Sequence, residues 1–66
     1  MKYKIDIWTY GHINESYEND DIAEVLDWYK YSGWASAYDQ GRCAFNLYED
    51  GQKLSFDEEY ELGFHD

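Results

Sequence analysis

Residues 53–64 read "KLSFDEEYELGF", and the fold turns on how they are taken. Leu54, Phe56, Glu58, Tyr60, Leu62 and Phe64 occupy the even positions. Lys53, Ser55, Asp57, Glu59, Glu61 and Gly63 occupy the odd ones. The even set is apolar apart from Glu58, and the odd set is polar. A period of two is the mark of a strand with one buried face. On this reading the segment is ordered strand, not acidic tail. Its even residues close a core, Glu58 marks a bulge or bend, and Asp57, Glu59 and Glu61 form a one-sided carboxylate ladder.

Working outward, Asp50-Gly51 is a strong hairpin signal. A two-residue loop there sets Leu47 opposite Leu54, Asn46 opposite Ser55 and Phe45 opposite Phe56, matching polar with polar and apolar with apolar. "WASAYD" (34–39) and "RCAFNLYE" (42–49) flank a Gln40-Gly41 turn and read as two further strands, with Asp39 and Arg42 as a cross-strand ion pair. At the other end, Tyr3, Ile5 and Ile7 alternate with Lys4, Asp6 and Trp8, a strand that stops at Gly11. "HINESYEN" (12–19) is polar and reads as a loop. A helix follows, with Asp21 and Glu24 as a capping box and Gly33 just past its end. Ile22, Val25, Leu26 and Tyr29 form its apolar stripe.

The expected fold is α+β, ordered β-α-β-β-β, with one helix on a small, mainly antiparallel sheet. The expected core is Tyr3, Ile5, Ile7, Ile22, Val25, Leu26, Tyr29, Phe45, Leu47, Leu54, Phe56, Tyr60 and Leu62. Residues 1–66 make one compact domain, since 66 residues allow no more. A chain this short buries only about 60% of its unfolded surface, so its core must be dense. An aromatic content of 21% supplies that density and argues against disorder. A lone cysteine, Cys43, rules out an internal disulfide, and no stretch approaches the ~20 apolar residues of a membrane span. A soluble, cytoplasmic protein is expected.

Fifteen acids against five bases give a formal charge of −10. This exceeds the roughly 2–8 charges that suffice for solubility in a small domain. A solubility habit or a salt-rich host is the bland explanation, and the aromatic content weighs against the second. A basic partner is the functional one. Direct binding to nucleic acid or an anionic membrane is disfavoured, because phosphates would be repelled. Alternate residues on a strand face stand about 6.6–6.8 Å apart, of the order of single-strand phosphate spacing. Asp57, Glu59 and Glu61 would then imitate a short run of phosphates. Asp20, Glu24 and Asp27, continued by Tyr31, make a second row along the helix. Arg pairs with carboxylate and phosphate in similar fork geometry, so a basic groove built for nucleic acid would accept such rows. Trp8, Trp28 and Tyr31 fall off the core stripes and are candidate anchors, being of types common at binding hot spots.

No catalytic or cofactor motif stands out. Cys43 reads as inward packing, His12 and His65 lack ligand-spaced partners, and fitting Asn46–Asp57 to a calcium loop puts Tyr48 at a ligand position it cannot fill. No enzyme activity, cofactor or metal is expected. In size, acidity and aromatic content the chain resembles the small inhibitors carried by phages and mobile elements: anti-CRISPR proteins, antirestriction DNA mimics and uracil-DNA glycosylase inhibitors. The resemblance spans the whole chain without matching any family motif. It implies a stoichiometric inhibitor of a basic nucleic-acid-binding protein, with an RNA-guided nuclease as first choice. Such nucleases read their flanking motif with Arg side chains in a basic channel. The alternative is an adaptor or antitoxin-like module that binds through aromatics and a sheet edge. A monomer or weak dimer is expected.

Overall fold

The alternation of Tyr3, Ile5 and Ile7 forms strand β1 (Tyr3–Thr9), and this strand is the spine of the fold. In the computed structural model, which describes residues 2–65, β1 pairs antiparallel on both sides. On one side lies β2 (His12–Asn19), on the other β3 (Ala44–Glu49). A two-residue β4 (Gln52–Lys53) completes a sheet ordered β2-β1-β3-β4. Helices α1 (Ile22–Tyr31), α2 (Trp34–Asp39) and α3 (Phe56–Glu61) account for the remaining regular structure among the described residues. The fold is α+β, as expected, but among the described residues the order is ββααββα, with three helices.

Three segments depart from the sequence reading. "HINESYEN" is an edge strand, not a loop. An edge strand with little covering its faces needs no apolar alternation, and here only Tyr17 and Asn19 are even half-buried. "WASAYD" is a short helix, not a strand. Gly33, in the left-handed region at φ 92°, ends α1 and starts α2 at once. The Asp39–Arg42 pair therefore does not form. Gln40 instead caps α2, and the Arg42 N–H donates to the Ala37 carbonyl at 2.9 Å.

The third departure is residues 53–64. The hairpin register holds for one step beyond β4: the Leu54 N–H donates to the Leu47 carbonyl at 2.8 Å. The ladder then stops, and neither Asn46–Ser55 nor Phe45–Phe56 is a strand pair. Ser55 caps α3 in a reciprocal box: its Oγ accepts from Glu58 N–H at 3.2 Å, and its N–H donates to Glu58 Oε1 at 3.0 Å. The Ser55-x-x-Glu58 signature competed with the two-residue alternation and won.

The helices cover one face of the sheet. Ile5, Ile7, Phe45 and Leu47 from the strands meet Val25 and Tyr29 of α1, together with Leu54 and Phe64. Tyr3, Ile22, Leu26 and Leu62 pack around this core half-buried. Phe56 and Tyr60, expected inside, are exposed, because a helix turns them away where a strand would have turned them in. On the uncovered face Lys4 lies between Glu18 and Tyr48, with Lys53 beyond, and Asp6 lies between Ser16 and Asn46.

Candidate interaction surface

The three-residue carboxylate ladder is not present, because Asp57, Glu59 and Glu61 lie on a helix. Residues 100° apart around an axis cannot share a face at a spacing of two. Asp57 and Glu61, one turn apart, are exposed. Glu59 points inward and is buried, with His65 Nε2 2.9 Å from its Oε1. The His65 ring lies against Phe56 (4.3 Å between centroids), Phe45 (5.3 Å) and Tyr38 (5.5 Å). This clamp ties the C-terminal residues to α3 and β3, and it removes Glu59 from any contact surface.

The exposed arc of α3 carries Phe56, Tyr60, Asp57, Glu58 and Glu61. Phe56 is 60% exposed and Tyr60 54%, and their rings lie 6.4 Å apart. An aromatic pair is thus rimmed by three carboxylates. Along its other edge α3 closes a depression of ≈ 170 Å³ lined by Tyr3, Glu49, Leu54, Glu58, Glu61 and Leu62. Its floor is apolar and its rim is acidic. The Tyr3 hydroxyl donates to Glu49 Oε1 at 3.4 Å. Burial, then the charges of Glu49, Asp50 and Asp21, push the Tyr3 phenol up from its usual value. Tyr3 pairs with Asn19 at the end of β2, two residues before the Asp21 cap of α1. Glu58 is held below the ordinary carboxylate range by the Ser55 backbone and hydroxyl donors.

The second predicted row survives in part. Asp20 precedes α1, while Glu24 and Asp27 stand on it; all three are exposed. Asp21 turns to the backbone and accepts from Ala23 N–H at 2.9 Å. Of the candidate anchors, Tyr31 is 89% exposed at the end of α1. Trp28 instead stacks on Tyr17 of β2, 5.1 Å between centroids and 5° from parallel, binding helix to edge strand. Trp8 is half-buried on the uncovered sheet face. With the Asn46 amide oriented to satisfy both neighbours, its indole donates to Asn46 Oδ1 at 3.1 Å.

Sequence reasoning missed Phe56, Tyr60, Glu49 and Glu58 as surface groups. The capping signature at Ser55 was the signal that would have placed the three on α3; nothing comparable marked Glu49 at the end of β3. Cys43 is half-buried, its Sγ 3.6 Å from the Trp34 carbonyl, and burial raises its thiol pKa. Among the described residues no cluster of three His, Cys, Asp or Glu side chains could hold a metal ion. No helix among them is long and apolar enough to cross a membrane. No protein-family model matches the chain, and neither curated proteins nor solved structures return a match.

Proposed function

We propose that this protein binds a basic nucleic-acid-binding protein and occupies its DNA or RNA site, as an anti-CRISPR inhibitor of an RNA-guided nuclease would. The observation that carries the reading is α3. An exposed Phe56–Tyr60 pair sits beside Asp57, Glu58 and Glu61, next to an apolar cleft rimmed by Glu49. Asp57 and Glu61 stand about 6 Å apart along the helix axis, so a helical turn replaces the strand spacing as the phosphate-like interval. The cleft suits the aliphatic stem of a partner Lys or Arg, with its charged head at the carboxylate rim. The aromatic pair supplies an anchor that charge alone would not. Asp20, Glu24 and Asp27 extend the negative field on α1. The action is stoichiometric, with no cofactor and no catalytic step, inside the host cell.

The test is capture of the partner from host lysate at low salt, followed by competition with DNA and RNA. Neutralising Asp57→Asn with Glu61→Gln should weaken capture at least tenfold with the fold intact, and nucleic acid should displace the wild type. Capture that resists both the double variant and competing nucleic acid would overturn the reading. It would favour the adaptor alternative, for which the eight-residue edge strand β2 is the observation.

A further inference from the structure

The two tight turns of the sheet share one backbone conformation and differ in sequence. Asp50-Gly51 joins β3 to β4 with φ of 51° and 85°. Tyr10-Gly11 joins β1 to β2 with φ of 52° and 82°. Positive φ at both central residues suits Asn-Gly or Asp-Gly, whose short polar side chains tolerate the left-handed region. Asp50 follows the rule, and its Oδ1 accepts from the Lys2 N–H at 2.8 Å. Tyr10 breaks it. A bulky ring is held in a disfavoured conformation and is 100% exposed, so the monomer gains no burial in return. Such outliers collect at functional and binding sites, where the strain is part of the mechanism.

Its surroundings narrow the choice. Trp8, Thr9, Tyr10 and Gly11 form one wall of a groove of ≈ 500 Å³, and Gly41, Arg42, Cys43 and Ala44 form the other. Ile13, 46% exposed, lies beside Trp8 across the strand pair. Trp, Tyr and Arg, the three residue types most enriched at binding hot spots, meet here. No carboxylate lines this groove, whereas carboxylates line the depressions beside Lys4, Tyr3 and Lys30. Arg42 makes no ion pair among the described residues, in a chain with fifteen acids.

We infer that this patch is a self-association site in which two copies of the chain exchange hairpin tips. Each Tyr10 ring enters the partner's groove and lies against the guanidinium of Arg42, over the end of the groove that the Trp8–Ala44 strand pair closes. Two arguments select a second copy. The patch carries both a protruding ring and a groove that receives one, the self-complementarity that a twofold contact requires. It is also a carboxylate-free cleft, where two molecules of charge −10 can approach without opposing their acids. The ring–guanidinium contact is a cation–π pair, which needs no carboxylate. The inference does not rest on the basic-partner reading, which uses α3 and α1.

Sedimentation equilibrium of the purified chain, from micromolar to millimolar concentration and at low and high NaCl, tests it. The wild type should pass from monomer to dimer, and added salt should tighten the dimer by screening the net charge. Tyr10→Asn should reduce association at least tenfold while melting at the same or a higher temperature, because Asn suits the turn. Arg42→Gln should weaken association without changing the melting temperature. A wild type that stays monomeric at millimolar concentration and high salt would overturn the inference. So would a dimer that Tyr10→Asn leaves intact, which would place the contact elsewhere, as at the β2 edge.

Discussion

Tyr29 makes the sharpest statement a single residue offers here. It is 2% exposed at the centre of the core, its ring 5.0 Å from Phe45 and 5.6 Å from Phe64. Its hydroxyl has no hydrogen-bond partner among the described residues. A buried donor without a partner loses its water and regains nothing, so Tyr29→Phe should be neutral or stabilise by up to about 1 kcal/mol. Burial, followed by the nearby Cys43, Tyr38, Asp39 and Glu59, pushes the phenol well above the ordinary tyrosine range. Below pH 10 both folded and unfolded chains hold this proton, and stability does not depend on it. Above pH 10 the unfolded chain releases it and the folded chain keeps it, so stability falls as pH rises. Urea melts from pH 8 to 11 should show a steeper alkaline loss for the wild type than for Tyr29→Phe. Equal slopes would mean that the hydroxyl is hydrated or bonded in solution.

At the scale of the element, α3 depends on its cap. Six residues make too short a helix to persist on propensity alone. The Ser55–Glu58 box, an acidic first turn and the burial of Glu59, Leu54 and Phe64 around it hold the helix in place. Ser55→Ala removes the acceptor of Glu58 N–H and should lower stability by about 1 kcal/mol, read as a shift in urea midpoint with unchanged slope. Because Glu58 is held low in the folded state, its contribution is present above the ordinary glutamate range and is lost as pH falls below it. In Ser55→Ala that acid dependence should shrink. The same element shows where legibility ended. β1, α1 and β3 were readable because each buries a face against the core, and burial imposes a period on the sequence. The Asp50-Gly51 turn was readable from its backbone demand. α3 and α2 were not, since six residues span under two turns and Leu54, Phe56, Tyr60 and Leu62 mimic a strand by accident of spacing. β2 hid because an edge strand covered mainly at Tyr17 has no apolar pattern to betray it. The candidate surface followed suit: the exposed acids of α1 were legible, while Glu59 and the Phe56–Tyr60 pair depended on a helix that alternation concealed.

At the scale of the whole molecule, charge is sorted by face. Lys2, Lys4 and Lys53 share the uncovered sheet side with Asp6, Glu18 and Asp50, and local pairs tie them together: Lys4 Nζ lies 3.6 Å from Asp6, and Lys2 Nζ 3.5 Å from Glu18. Asp6 is itself buried and accepts from Ser16 Oγ at 2.7 Å. These six groups cancel, which leaves the rest of the chain with twelve acids and two cations, the whole of the −10. Among the described residues Asp20, Glu24 and Asp27 at α1 and Asp57, Glu58 and Glu61 on α3 are exposed, so this side repels itself, and the fold bears that cost in the absence of a partner. Salt should act with opposite signs on two measurements. Raising NaCl from low to physiological strength shortens the Debye length from about 30 Å to about 8 Å and relieves self-repulsion. The isolated protein should then melt higher, by about 4–8 °C for each kcal/mol recovered in a domain of this size. The same addition should weaken capture of a basic partner, because the attraction it screens is the repulsion seen from the other side. Scanning calorimetry and the capture assay across one salt series read both signs. A melting temperature that falls with salt would mean that attractive ion pairs outweigh the repulsion, and one that stays flat while capture weakens would mean that the acids of α1 and α3 are too far apart to repel one another. The negative field would then be local to the α3 cleft instead of a property of the whole helical face.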